Sequence, residues 1–170
     1  MSKAFTRESD DAPELPLRPR RITTLPPGTK NYLTASGARR LREELHATLH
    51  PERERLQHLA TTEDAKRDLS AVVDRIEQIE HTLSTAVIVE PPASPHEQVR
   101  FGATVTTRHR SGEETHYRIV GADETDIDRD WISWLSPIAR ALLNAQIGQK
   151  VRIKLPGGDD ELTILAIRYE

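Results

Sequence analysis

From Thr34 to about residue 90 the apolar positions recur with the period of a helix. Thr34 is a suitable N-cap, and Leu41, Leu45, Leu49, Leu56 and Leu59 succeed it at steps of 4, 4, 7 and 3, which sets them on one face. A second stripe is more regular. Leu69, Val72, Ile76, Ile79 and Leu83 step by 3, 4, 3 and 4, the spacing of a heptad seam, with charged residues on the other faces. The segment between the stripes, Ala60-Thr61-Thr62-Glu63-Asp64, carries residues that end one helix and cap the next. Two single-striped helices bury their apolar faces only against each other, so the pattern predicts an antiparallel helical hairpin, a coiled coil. Each arm of about 24 residues would be on the order of 36 Å long. Pro51 removes a backbone donor inside the first arm, which predicts a kink or restart near His50.

Pro91, Pro92 and Pro95 end this pattern, and from Phe101 onward the chain alternates with the period of a strand. Phe101, Ala103 and Val105 lead to a Ser111-Gly112 turn, then to Tyr117, Ile119 and Gly121. Trp131 to Leu135 reads as a further strand. Ser136-Pro137 sets an N-cap and an N1 proline before Ile138, Ala139, Ala141, Leu142 and Leu143, a short helix. Val151, Ile153 and Leu155 alternate up to a Pro156-Gly157-Gly158 turn, after which Leu162, Ile164, Ala166 and Tyr169 finish the sequence. The expected fold class is α+β: an N-terminal hairpin over 32–90 and a small antiparallel sheet with one short helix over 97–170. Residues 1–31, rich in proline and charge and without period, read as a flexible tail, in which Arg18, Arg20 and Arg21 form a basic cluster.

Composition narrows the function. The 170 residues hold 24 basic and 27 acidic side chains, a formal charge of −3. An autonomous DNA reader would concentrate Lys and Arg on one face, and no segment does so. Aromatic residues make up 4%, too few for a platform of rings stacked on single-stranded bases. A protein partner fits better. With no cysteine there is no disulfide framework, thiolate zinc site or thiol nucleophile. No apolar run reaches the roughly 20 residues of a membrane helix, and the start of the chain lacks the apolar core of a signal peptide. A cytoplasmic monomer without membrane contact is expected.

Candidate chemistry is sparse. His46 and His50 stand four apart on a helix, a metal-compatible spacing, but they lack the carboxylate of the His-Glu-x-x-His pattern and read as a solvated pair. Trp131 and Trp134, three apart in an expected strand, should face opposite sides, and an exposed one would suit a protein interface. Leu155-Pro156-Gly157-Gly158 is a turn and not a phosphate loop. No catalytic residue and no metal site of the chain's own are expected.

Several local sequences together resemble the bacterial Gre transcript-cleavage factors. They are Leu33-Thr34-Ala35-Ser36-Gly37-Ala38 leading into Leu41-Arg42-Glu43-Glu44-Leu45, Phe101-Gly102-Ala103-Thr104-Val105, Tyr117-Arg118-Ile119-Val120-Gly121, Ile132-Ser133, Ser136-Pro137-Ile138-Ala139-Arg140-Ala141-Leu142, and Leu155-Pro156-Gly157-Gly158. Their order matches from about residue 31 onward, and Ser2-Lys3-Ala4-Phe5-Thr6 is similar to the extended start of some GreB-type members.

The resemblance implies an FKBP-like C-terminal domain that docks beside the secondary channel of RNA polymerase and a hairpin that enters it. In that setting contact with nucleic acid is indirect, within the elongation complex. The chain would not be an enzyme; at most it stimulates the transcript cleavage intrinsic to the polymerase. In cleaving members, acids at the hairpin tip help hold a Mg²⁺ ion shared with the polymerase active site, since that hard cation takes oxygen ligands. This sequence departs from the family there. The Asp-Leu-x-Glu-Asn-like and Asp-Arg-Ser-Glu-Asn-like tips are missing, and the hairpin is shorter by roughly two turns per arm, about 10 Å of reach. Glu63 and Asp64 are the acids near the turn. They are open to three readings: complements to the dipole of the second helix, metal holders, or contacts to a basic polymerase surface. Ser136, Pro137, Ile138 and Arg140, with Trp134 beside them, are the candidate polymerase-binding residues, although Ile138, Leu142 and Leu143 could equally cover the sheet. Two other readings stand beside this one: an FKBP-like prolyl isomerase or chaperone, and a regulator docking on another enzyme.

Overall fold

A computed structural model describes residues 25–59, 61–94, 96–155 and 158–170. The basic cluster, most of the expected tail, Ala60, Pro95 and Pro156-Gly157 lie outside the described residues. The helical hairpin is present. Its first arm is three consecutive pieces: α1 (Ala35–Glu43), a π-helical stretch (Glu44–Leu49) and α2 (His50–Leu59). Its second arm is one helix, α3 (Glu63–Thr85), of 23 residues or about 34 Å.

The π-helical stretch sits where Pro51 demands a change. In an α-helix the proline ring would press on the carbonyl of Ala47 and leave it without a donor. Widening the preceding turns relieves this, and the His50 N–H reaches back to the Leu45 carbonyl, five residues away, as the new helix begins. Leu41, Leu45, Leu49, Ile76 and Ile79 form one buried cluster, with Val72, Leu83 and Ala86 packed against it. Arg75 ties the arms from the side, donating through Nε and Nη2 to the two carboxylate oxygens of Glu44 at 2.8 and 2.9 Å. Leu59, expected on the buried stripe, is 50% exposed. It is the last residue of its arm, beyond the reach of the packed cluster.

The hairpin is flanked by two short strands, the first just ahead of the expected helix start and the second at positions expected to belong to the second arm. β1 (Asn31–Thr34) and β2 (Ala86–Val89) pair in parallel, Asn31 opposite Ala86 and Thr34 opposite Val89. The second arm thus ends at Thr85, ahead of the prolines, where Val87-Ile88-Val89 favours a strand.

The C-terminal body is a five-stranded sheet in the order β5-β4-β3-β7-β6, built from β3 (Thr104–Arg108), β4 (Glu114–Val120), β5 (Trp131–Ser133), β6 (Lys150–Leu155) and β7 (Gly158–Arg168). The expectation of an antiparallel sheet needs correction: β4 and β5 run parallel, so the sheet is mixed. Two 3-10 turns, Ala122–Glu124 and Ile127–Arg129, carry the chain between them and reverse it twice. β5 stops at Ser133, so Trp134 lies in the turn after the strand. A short helix, α4 (Pro137–Leu142), covers the core of Val99, Val105, Ile119, Leu142, Ile153, Leu162 and Ile164. Asn144 comes after it with φ 68°, the left-handed residue that ends a helix. No described helix is long and apolar enough to cross a membrane.

Candidate functional site

The tip of the hairpin is a capped helix start. The Thr62 hydroxyl accepts from the Ala65 N–H at 3.3 Å, and Glu63 and Asp64 occupy the first turn of α3, where acids complement the helix dipole. Both are highly exposed and both are already paired within their own helix. Lys66 Nζ lies 2.8 Å from Glu63, and Arg67 Nη1 lies 3.6 Å from Asp64. Among the described residues no three His, Cys, Asp or Glu side chains gather as a metal-holding group. Each of the two neighbouring carboxylates lies beside a cation, which offsets part of the negative charge that a Mg²⁺ ligand would offer. His46 and His50 lie with ring centroids 5.6 Å apart on the first arm, and no third ligand joins them among the described residues.

The expected docking residues lie together at the start of α4. Ser136 Oγ accepts from the Ala139 N–H at 3.1 Å and caps the helix. Pro137 and Arg140 are exposed, whereas Ile138 packs on the sheet core. Trp134 is half-buried, its ring edge-on to Tyr32 at 5.2 Å, and its backbone N–H bonds to the Val120 carbonyl. Trp131 is held elsewhere: Arg40, Arg118 and Arg129 place their guanidinium carbons 4.2, 4.7 and 5.3 Å from its ring centre. Both rings make contacts within the protein, and both keep part of their surface exposed.

The joint between hairpin and body was not foreseen from the sequence. Glu124 is buried at 4% exposure. Its Oε2 accepts from the backbone N–H groups of Thr34 at 2.8 Å and Gly121 at 3.0 Å; its Oε1 accepts from the Thr34 hydroxyl at 2.5 Å, with Arg40 Nη2 3.6 Å away. The Thr34 hydroxyl in turn accepts from the Gly37 N–H at 2.9 Å and caps α1. Beside it Arg118, also buried, donates to Ser36 Oγ at 2.8 Å and to Glu170 at 2.6 Å. On the other arm, the Thr82 hydroxyl donates to Asp123 at 2.9 Å. The neighbouring acids Asp123 and Glu124 therefore each hold one arm.

Two glycines make the approach possible. A Cβ on Gly37 would sit 1.7 Å from Glu124 Oε1, and one on Gly121 would sit 2.1 Å from the Tyr32 carbonyl oxygen. These glycines belong to the Leu33–Ala38 and Tyr117–Gly121 segments, which carry much of the resemblance. They were the available signal: a helix glycine at position 37, where alanine would form helix better, marks a close neighbour.

Residues 94–169 match the family model described as "Transcription elongation factor, GreA/GreB, C-term". The transcription elongation factor GreA of Halorhodospira halophila is 39% identical over 157 residues, covering 84% of this chain and 99% of its own. GreB of Neisseria meningitidis is 34% identical over 155 residues, covering 83% of this chain and 95% of its own. Since 84% of 170 residues is about 143, about 14 aligned positions of the Halorhodospira protein have no counterpart here. Among solved structures, GreA factor homolog 1 of Thermus thermophilus is 28% identical, with a TM-score of 0.39, over 82% of this chain and 99% of that one. On identity sustained across most of both chains, this protein belongs to the GreA/GreB family of transcription elongation factors.

Proposed function

We propose that this chain binds bacterial RNA polymerase at the secondary channel and modulates elongation without stimulating transcript cleavage. The body, which we read as FKBP-like, docks through Ser136, Pro137, Ile138, Arg140 and Trp134. The hairpin, packed as a short coiled coil, enters the channel. The protein acts as a cytoplasmic monomer and meets nucleic acid only inside the polymerase complex. It carries no metal of its own and supplies no ligand to the polymerase's Mg²⁺.

The observation that carries this reading is the pairing of Glu63 with Lys66 and Asp64 with Arg67 at the end of a finger whose relatives are elongation factors. Positive groups that close cancel much of the field a metal-holding tip must project. The roughly 14 unmatched positions also accord with a shortened hairpin.

The test adds purified protein to backtracked polymerase complexes. Binding to the polymerase, altered elongation and no 3′-cleavage are expected, and Glu63→Ala with Asp64→Ala should change none of these. Robust cleavage that disappears in that double variant would overturn the reading of the tip, and failure to bind polymerase would overturn the whole.

A further inference from the structure

We propose that Glu124 is a positioning residue: it sets the direction in which the helical hairpin leaves the C-terminal body. This rests on the reading of the hairpin as the working finger and names the part of the body that aims it.

Orienting a long helix is demanding at its base. A rod about 34 Å long magnifies any rotation there, so a tilt of 10° moves the far end by about 6 Å. An apolar contact alone tolerates such rotation, because it is not directional. Hydrogen bonds to an ionised carboxylate are directional and short. Glu124 supplies them at the corner where β1 becomes α1, taking both the backbone N–H and the hydroxyl of Thr34. Because that hydroxyl also receives the Gly37 N–H, the first turn of the helix is wired through Thr34 to the carboxylate. The third donor, the Gly121 N–H, belongs to the body. One buried side chain therefore binds both parts.

Its surroundings restrict the alternatives. Gly37 and Gly121 leave no slack around the carboxylate and the Tyr32 carbonyl. The next residue back, Asp123, takes the Thr82 hydroxyl near the end of the returning arm. A single 3-10 turn, Ala122–Glu124, thus grips the outgoing and returning arms at separate points, which fixes tilt and rotation together. Arg118 adds a brace from β4 to Ser36. The hydrophobic core of the body does not depend on this turn, since its buried cluster is formed by other residues.

The chain has no cysteine, so paired spin labels at Gln57→Cys near the tip and Ser111→Cys on the body read the hairpin direction in the full-length protein. Without further change the distance distribution should be a single narrow peak. Glu124→Gln conserves volume but loses the charge and turns an amide donor toward donors; it should broaden or split the peak, while the Leu162 and Ile164 amides stay protected from exchange. Thr34→Val should do the same and Thr34→Ser should restore the narrow peak. An unchanged peak in Glu124→Gln, or broadening that comes only with loss of protection in the body, would overturn the assignment.

These measurements need no polymerase, so absence of polymerase binding would defeat the proposed function and leave this inference standing. With polymerase, Glu124→Gln should keep the binding affinity and lose the effect on elongation. A full elongation effect from a hairpin shown to wander would overturn the claim that its direction matters.

Discussion

Thr34 and Glu124 stand 90 residues apart in the chain and are joined by two hydrogen bonds, backbone N–H to Oε2 at 2.8 Å and hydroxyl to Oε1 at 2.5 Å. The hydroxyl also caps α1. Thr34→Val keeps the shape and removes both roles, leaving a buried carboxylate oxygen short of a donor. A loss of about 2 kcal/mol in urea unfolding is expected, against less than about 1 kcal/mol for Thr34→Ser.

Gly37→Ala tests the closeness of the joint by its sign. Helix propensity alone favours alanine by about 1 kcal/mol. The new methyl would meet Glu124 Oε1 at 1.7 Å, on a side chain held by three donors. We expect a net loss of about 1–3 kcal/mol, as for other overpacked sites, read by thermal or urea unfolding.

Across the hairpin, Arg75 and Glu44 form a two-bond pair that is only partly exposed. A double-mutant cycle with Arg75→Gln and Glu44→Gln should give a coupling of about 1 kcal/mol, at the upper end for surface pairs because the geometry is bidentate. Arg75→Lys should lose most of it, since an ammonium cannot match both oxygens.

Acid stability should depend on Asp160. Its carboxylate contacts His109 Nδ1 at 2.6 Å and accepts from the Glu161 N–H at 2.7 Å, and the His109 bond, then the backbone bond, holds its pKa below the usual range. A group depressed in the folded state contributes stability that is whole above its unfolded pKa of about 4 and is lost as pH falls through the lower folded value. Asp160→Asn should therefore flatten the acid limb of a plot of unfolding midpoint against pH below about pH 4. Equal acid limbs for the two proteins would refute this.

The parts of the fold that were legible in the sequence are those whose signal is periodic and local. Ile76 and Ile79 repeat at helical spacing and are buried as that spacing requires. Pro51 announced a break that the π-helical stretch supplies. Signals that depend on distant partners were silent. β1 and β2 are four-residue strands separated in the chain by the whole hairpin, so even where Val87-Ile88-Val89 has strand composition, its pairing with Asn31–Thr34 leaves no local mark. The parallel placing of β5 rests on the two 3-10 turns between 122 and 129, which alternation along a strand cannot reveal. The candidate site divides in the same way. Glu63 and Asp64 were visible as tip acids from the turn chemistry around them. Glu124 resembles an ordinary turn acid, because burial of a carboxylate among donors from position 34 leaves no mark near position 124.

The parallel pairing of β1 with β2 gives the hairpin a property beyond support. Its outgoing and returning ends are stapled side by side, so everything between them is a closed excursion whose ends do not register its length. Turns can be removed from or added to both arms in equal measure while the staple and the body remain as they are. About seven residues per arm shift the seam by about two turns and leave the facing residues in phase. The reach of such a probe is free to evolve like the gauge length of an instrument whose mounting stays fixed.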